Sequence, residues 1–159
     1  MKRSDPLLAC LLALFALHGS ARADEHEVWM FQCMSNEGEN EGPEFCTTEL
    51  FMTVGLRDFL IYFVHNKNGK NPLVLTGPED EFSGLAIQVD DRKPLKAGKC
   101  ETGMCYFDLK NSSTLLKQFK KGRAARISVT ARGSKLILDK TISLSGFSRI
   151  YDSFRQRRR

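Results

Sequence analysis

The side chains with the most chemistry in this 159-residue chain are its five cysteines, three histidines and nineteen carboxylates. Their spacing decides which reactions are open to them. Cys100 and Cys105 enclose Glu101-Thr102-Gly103-Met104, with Gly98-Lys99 before them and Tyr106-Phe107 after. Two cysteines around a glycine-bearing turn, followed by aromatics, read as a disulfide across the end of a β-hairpin. Residues flanking a short hairpin loop face one another. In a non-hydrogen-bonded pair their Cα atoms are about 4.5 Å apart, which a disulfide spans. On the chain-entropy model so small a loop contributes only about 2 kcal/mol, so the bridge staples a turn more than it holds a domain.

Cys33 and Cys46 flank an acidic stretch rich in Gly and Asn, Ser35 to Pro43, which reads as a loop. A bridge closing it is worth about 3 kcal/mol on the same model. These four cysteines allow three pairings. Cys33 with Cys46 and Cys100 with Cys105 is favoured, because each pair is close in sequence and separated by turn formers. A metal site is the rival use. It lacks C-x-x-C spacing, and His26 and His65 are the sole histidines beyond the leader. No metal and no other cofactor is expected.

Nucleophilic catalysis needs a base within reach of a Ser or Cys. His65 ends an apolar strand, where histidines are usually structural, and no G-x-S-x-G or phosphate-cradling glycine loop occurs. Glu79-Asp80-Glu81 raises calcium, but consecutive carboxylates do not converge and the alternating spacing of calcium loops is missing. Asp90 and Asp91 are strand neighbours that point to opposite faces, so they make no acid pair. The expectation is a non-enzymatic protein that binds or supports.

The oxidised cysteines require an oxidising compartment, and the start of the chain provides the route. Met1-Lys2-Arg3 is basic, Leu7 to Leu17 is apolar, and Ala21-Arg22-Ala23 is a small-x-small site, so residues 1–23 read as a signal peptide. Leu8-Ala9-Cys10 looks like an acylation box but lies before the apolar run is complete. No transmembrane helix is expected, because no stretch approaches the roughly 20 apolar residues that span a bilayer. Residues 24–154 then form a single domain with a real core, and 155–159 a basic tail.

Charge is divided along the mature chain: 14 acidic and 3 basic residues lie in 24–91, against 4 acidic and 18 basic in 92–159. Interleaving of the halves in a sheet would neutralise most of this. The remaining basic set is Lys117, Lys120, Lys121 and Arg123 with Arg155, Arg157, Arg158 and Arg159, a candidate surface for anionic lipid, lipopolysaccharide or glycan. Nucleic acid is a poor partner for an exported protein.

The elements that would position these groups are short. Val28 to Cys33 and Phe45 to Val54 have strand composition, and Phe59 to Val64 is apolar on both alternating faces, which argues for cover on both sides or a central place. Asn68-Gly69 suits a type I′ turn returning Leu73-Val74-Leu75 as hairpin partner. Leu85, Ile87 and Val89 mark a half-buried strand, as do Ala125, Ile127, Val129 and Ala131. Gly133-Ser134 is read as a two-residue hairpin loop. The return strand, Leu136 to Leu144, carries Leu136, Leu138, Ile142 and Leu144 inward, and Lys140 among them signals an edge or a bulge. Asn111 is read as N-cap of a helix burying Leu115, Leu116 and Phe119 and stopped by Gly122. Asn111-Ser112-Ser113 also fits a glycosylation sequon. Ser145 is read as the cap of a last helix with Phe147, Ile150, Tyr151 and Phe154 on one stripe, which packs on the sandwich or, with the arginine tail, lies on a membrane surface. Some eight strands and two short helices make an all-β fold, an immunoglobulin-like β-sandwich.

In this order, Trp29 to Cys33, Ile87-Gln88-Val89-Asp90-Asp91 with Lys93-Pro94-Leu95, Lys99-Cys100 to Gly103-Met104-Cys105, Leu115-Leu116 to Lys121-Gly122, and Ile142-Ser143-Leu144-Ser145-Gly146-Phe147 follow one another. The series resembles the invasion-associated locus B family of exported α-proteobacterial proteins, over nearly all of the mature chain. The resemblance implies an exported β-sandwich of the envelope or medium, linked in its namesake to entry into host cells, and no catalytic residues. Met104, where a second glycine often precedes the cysteine, and the polyarginine end depart from the family pattern. Two partners follow as alternatives: a protein, in host contact or among envelope proteins of the periplasm, or an anionic surface.

Overall fold

The computed structural model describes residues 28–34, 45–66, 70–78, 82–131, 133 and 135–156, with the side chains of residues 45 and 154–156 excepted. The expected signal peptide (1–23), the expected loop at 35–43, the turns expected at Asn68-Gly69 and Glu79–Glu81, Ser134 and Arg157 to Arg159 lie outside the described residues.

The strands are β1 (Met30–Met34), β2 (Phe45–Val54), β3 (Arg57–His65), β4 (Leu73–Thr76), β5 (Phe82–Val89), β6 (Leu95–Lys96), β7 (Lys99–Glu101), β8 (Met104–Tyr106), β9 (Ala124–Ala131) and β10 (Leu136–Ser143). The helices are α1 (Leu109–Lys121) and α2 (Phe147–Gln156). Strands β1-β2-β3-β4-β8-β7 form a six-stranded sheet and β10-β9-β5-β6 a four-stranded one. All pairings are antiparallel. The result is the all-β sandwich. Where about eight strands were expected there are ten, because the chain changes sheets within the run that carries the second disulfide. Ala97 N–H donates to the Leu85 carbonyl at 2.9 Å, and Gly98 N–H to the Tyr106 carbonyl at 3.0 Å. This corner leaves two short strands, β6 and β7, one on each sheet.

Alternation sets the core. Leu50, Met52, Phe59, Ile61, Phe63, Leu73, Leu75 and Cys105 from the larger sheet meet Leu85, Ile87, Val89, Ala125, Ile127, Val129, Leu138 and Ile142 from the smaller one in a single apolar cluster. The helices close one end. Trp29 lies edge-on to Phe119 (5.9 Å) and Phe147 (4.7 Å), and Phe63 edge-on to Phe119 (5.5 Å), an arrangement that suits the ring quadrupoles. The Trp29 indole N–H donates to the Ser143 carbonyl at 3.0 Å, tying the strand at one sheet's edge to the other sheet.

Several sequence expectations shift by a few residues, each for a local reason. The N-cap of α1 is Asp108, not Asn111. The Asp108 carboxylate accepts from the Asn111 backbone N–H at 2.7 Å, and it also accepts the Asn111 side-chain amide at 3.0 Å. Gly122 does end α1, but in extended backbone. Its need for glycine is packing: a Cβ there would stand 2.5 Å from Val89 Cγ1 and 2.9 Å from the Gln118 carbonyl. Ser145 does not cap α2. The Gly146 carbonyl accepts the first helical bond, from Ile150 N–H at 3.1 Å, and Gly146 has φ +80°, so the cap is this glycine.

Leu136 is not inward. A bulge between Leu136 and Leu138 turns it to solvent, while Leu138, Ile142 and Leu144 are buried. The strand is indeed an edge, with Lys140 half-buried on its inward parity, the placement that protects edges from pairing. The Ala131 N–H donates to the Lys135 carbonyl at 2.9 Å, so the β9–β10 connection is longer than the two-residue loop expected. β3 buries Phe59, Ile61, Phe63 and His65 on one face and leaves Leu60, Tyr62 and Val64 half-buried on the other.

Candidate functional site

The four cysteines join as Cys33–Cys46 and Cys100–Cys105, each pair directly opposed in an antiparallel ladder with Cα atoms 4.0 Å apart. The first pins edge strand β1 to β2. The second closes the β7–β8 hairpin, where Thr102 (φ +41°) and Gly103 (φ +71°) make the turn.

His65 sits beside Cys46 in the ladder and is buried. Its Nε2 is 2.7 Å from the Thr48 hydroxyl, and its ring packs on Phe31 (5.6 Å) and Tyr151 (4.7 Å). Thr48 is likewise fully buried. A hydroxyl and an imidazole this enclosed hold strands together; they do not meet a substrate. Among the described residues no three His, Cys, Asp or Glu side chains gather as metal ligands.

The basic set divides. Lys117, Lys121 and Arg123 are exposed on and after the end of α1. Lys120 is committed elsewhere: its ammonium is 2.6 Å from Asp152 Oδ1 and 4.6 Å from the Tyr151 ring centroid. It fastens α1 to α2, and so it is withdrawn from the predicted surface. The Arg155 side chain and Arg157 to Arg159 lie outside the described residues. An open depression of about 380 Å³, lined by Leu144, Ser145, Gly146, Ser148 and Arg149, lies at the start of α2. A second of about 350 Å³ lies on the smaller sheet over Gln88, Arg126, Ser128 and Asp139.

The outer face of the six-stranded sheet has a different character. One row across it reads Met30, Glu49, Tyr62, Val74, Tyr106 and Lys99. The next row along includes Phe51, Leu60, Thr76 and Met104. None of these belongs to the core cluster, yet Met30 and Phe51 are large apolar side chains left 40% and 50% exposed. Glu49 lies in the middle of them, only 8% exposed, and accepts one hydrogen bond, from the Thr47 hydroxyl at 2.9 Å. Burial above all, then the neighbouring Tyr106 and Glu49, hold the Tyr62 phenol above its ordinary pKa, so it remains a neutral hydrogen-bond donor.

The smaller sheet's outer face is polar, and the charges of β9 and β10 on it answer one another. Arg126 grips Asp139 through Nε (2.7 Å) and a terminal nitrogen (2.5 Å), and Ser128 adds a third bond at 3.2 Å. The Arg126 hydrogen bond, foremost, holds the Asp139 carboxyl below the usual range.

The sequence reading singled out neither Glu49 nor its surroundings. The available signal was the two-faced apolarity of Phe59 to Val64 together with one glutamate inside the strand Phe45 to Val54.

A family model described as invasion associated locus B (IalB) protein matches residues 29–155. The chain belongs to the invasion associated locus B family. The match begins at Trp29 and ends within α2, and so it spans both sheets, both disulfides and the outer face just described. No curated protein and no solved structure matches the chain. The family is not known as an enzyme family, and among the described residues no helix is long and apolar enough to cross a membrane.

Proposed function

We propose that this member of the invasion associated locus B family is an exported, non-enzymatic protein of the bacterial envelope or medium that acts by binding another protein. The observation that supports the reading is the outer face of the six-stranded sheet, where Met30 and Phe51 stand exposed around a recessed carboxylate. Contiguous apolar surface of this kind on a folded domain is a mark of an interaction site. The two disulfides fit an oxidising compartment. The enclosed Thr48–His65 pair gives hydrolytic chemistry no support.

The partner belongs either to a host surface or to the envelope itself. Protease treatment of intact cells, with fractionation of periplasm, outer membrane and medium, separates the two. Digestion in intact cells or release to the medium supports host contact. Protection until the outer membrane is opened supports a periplasmic module that assists envelope proteins.

A second reading, binding to anionic lipid or glycan, draws on the exposed Lys117, Lys121 and Arg123. It predicts retention on heparin or anionic vesicles that falls steeply with salt and with deletion of residues 155–159.

A further inference from the structure

A carboxylate nine-tenths buried is normally neutralised or held by several hydrogen bonds. Glu49 has one bond, and among the described residues no cation lies within ion-pair distance. Its neighbours across the strands are Met30 and Tyr62, and those along β2 are Thr47 and Phe51, all uncharged. Lys99 shares the row, but four strand spacings, about 19 Å, separate them, and Lys99 is paired with Glu101 at 2.6 Å. On the smaller sheet, by contrast, Arg126 and Asp139 answer one another. Among the described residues Glu49 sits recessed between uncharged neighbours with no cation against it.

We propose that this face docks a partner polypeptide that delivers an arginine or lysine to Glu49, with flanking apolar side chains laid over Met30, Phe51 and Tyr62. The inference rests on the reading of the chain as a binding protein, and it adds the surface and the partner's chemistry. Charge complementarity selects the occupant: a recessed carboxylate that still opens to solvent through one oxygen, framed by apolar side chains, is the counterpart of a guanidinium or ammonium on an apolar segment. Tyr62 beside it offers a ring face to the same cation. A second copy whose two-fold axis passed near Glu49 would set one recessed carboxylate against another. Anionic lipid would meet the same repulsion. Strands about 4.8 Å apart, long in β2 and β3 and short in β1, β4, β7 and β8, give a face of about 540 Å², smaller than the roughly 800 Å² per partner of a standard interface and suited to a short segment.

The test is selection of a random short-peptide library displayed on phage against the oxidised protein, followed by affinity measurement on wild type, Glu49→Gln and Phe51→Ala. Thermal melts and free-thiol counts verify that the variants fold. The expected result is enrichment of peptides with Arg or Lys next to aliphatic or aromatic residues, bound at least tenfold more weakly by both variants. Three results overturn the proposal: enriched peptides without a basic residue, binding that Glu49→Gln leaves unchanged, or no enrichment at all. Peptides that bind equally well to both variants leave the chain a binding protein and move its site elsewhere. Sedimentation that shows dimers of wild type, dissociated by Phe51→Ala, would assign the face to self-association instead.

Discussion

The two sheets of this sandwich present opposite outer faces built from the same alternation. On the four-stranded sheet the outward set includes Gln88, Arg126, Ser128 and Asp139, and there Arg126 and Asp139 are paired with one another. On the six-stranded sheet the outward set includes Met30, Phe51, Leu60, Tyr62 and Val74, and its central charge, Glu49, is not. Two leucine-sized exposures make the contrast sharp: Phe51 at 50% and Leu136 at 52% are almost equally open. Leu136 is a single side chain put out by a bulge beside polar neighbours, whereas Phe51 stands in a row with Leu60 and Met104 and near Met30. Exposure alone does not mark a site. Its surroundings do.

The largest effect expected from perturbing this contrast comes from the strand that carries Met30. Replacing Cys33 and Cys46 by serine frees β1 from β2 and lowers unfolding free energy by about 3 kcal/mol, against about 2 kcal/mol for Cys100 and Cys105, measured by denaturant titration under oxidising conditions. Peptide binding should weaken in the first variant and persist in the second. Next in size is charge reversal. Glu49→Lys should reduce affinity for basic-apolar peptides about a hundredfold, or about 2.7 kcal/mol, while Asp139→Lys should leave it unchanged by calorimetric titration. Truncation follows: Phe51→Ala costs about tenfold in affinity, and Leu136→Ala costs nothing measurable.

The smallest effect lies on the polar face. The Asp139 carboxyl titrates below its usual range because Arg126 donates to the charged form. A lowered folded-state pKa contributes stability that is present above the unfolded value of about 3.9 and lost as pH falls through the folded one. Wild type should therefore melt higher than Asp139→Asn at about pH 7, and the gap should close as pH falls below about 3.9. The pair is exposed, so the shift is small. A gap that widens in acid would be the wrong sign.

Much of this was legible in the residues because it is local. Cysteines that flank turn formers must meet across a hairpin, and Ile127 and Val129 alternating with Arg126 and Ser128 must face opposite sides. Elsewhere two equivalent local choices competed. Asp108 and Asn111 are both good caps, three residues apart, and the one used follows directly on the buried Phe107, a tertiary contact that local pattern does not encode. The bulge that exposes Leu136 depends on pairing with β9, which no single-strand pattern encodes. The candidate face was half visible. Phe59 to Val64 is apolar on both sides, which argues for two covers or a central place, and β3 does lie inside its sheet. That Glu49 lies on the outer side, between Met30 and Tyr62, follows from the β1-β2-β3 register, which is a property of three strands together.

The measurement that tests the central claim most directly is site-specific photo-crosslinking in cells that export the protein, with a photoreactive side chain placed at Phe51 in one variant and at Leu136 in another. Equal exposure makes the pair a matched control. The account predicts one discrete crosslinked partner polypeptide from position 51, abolished by adding Glu49→Gln, and none from position 136. Crosslinks of equal yield at both positions, or a partner captured from position 136 alone, would contradict it.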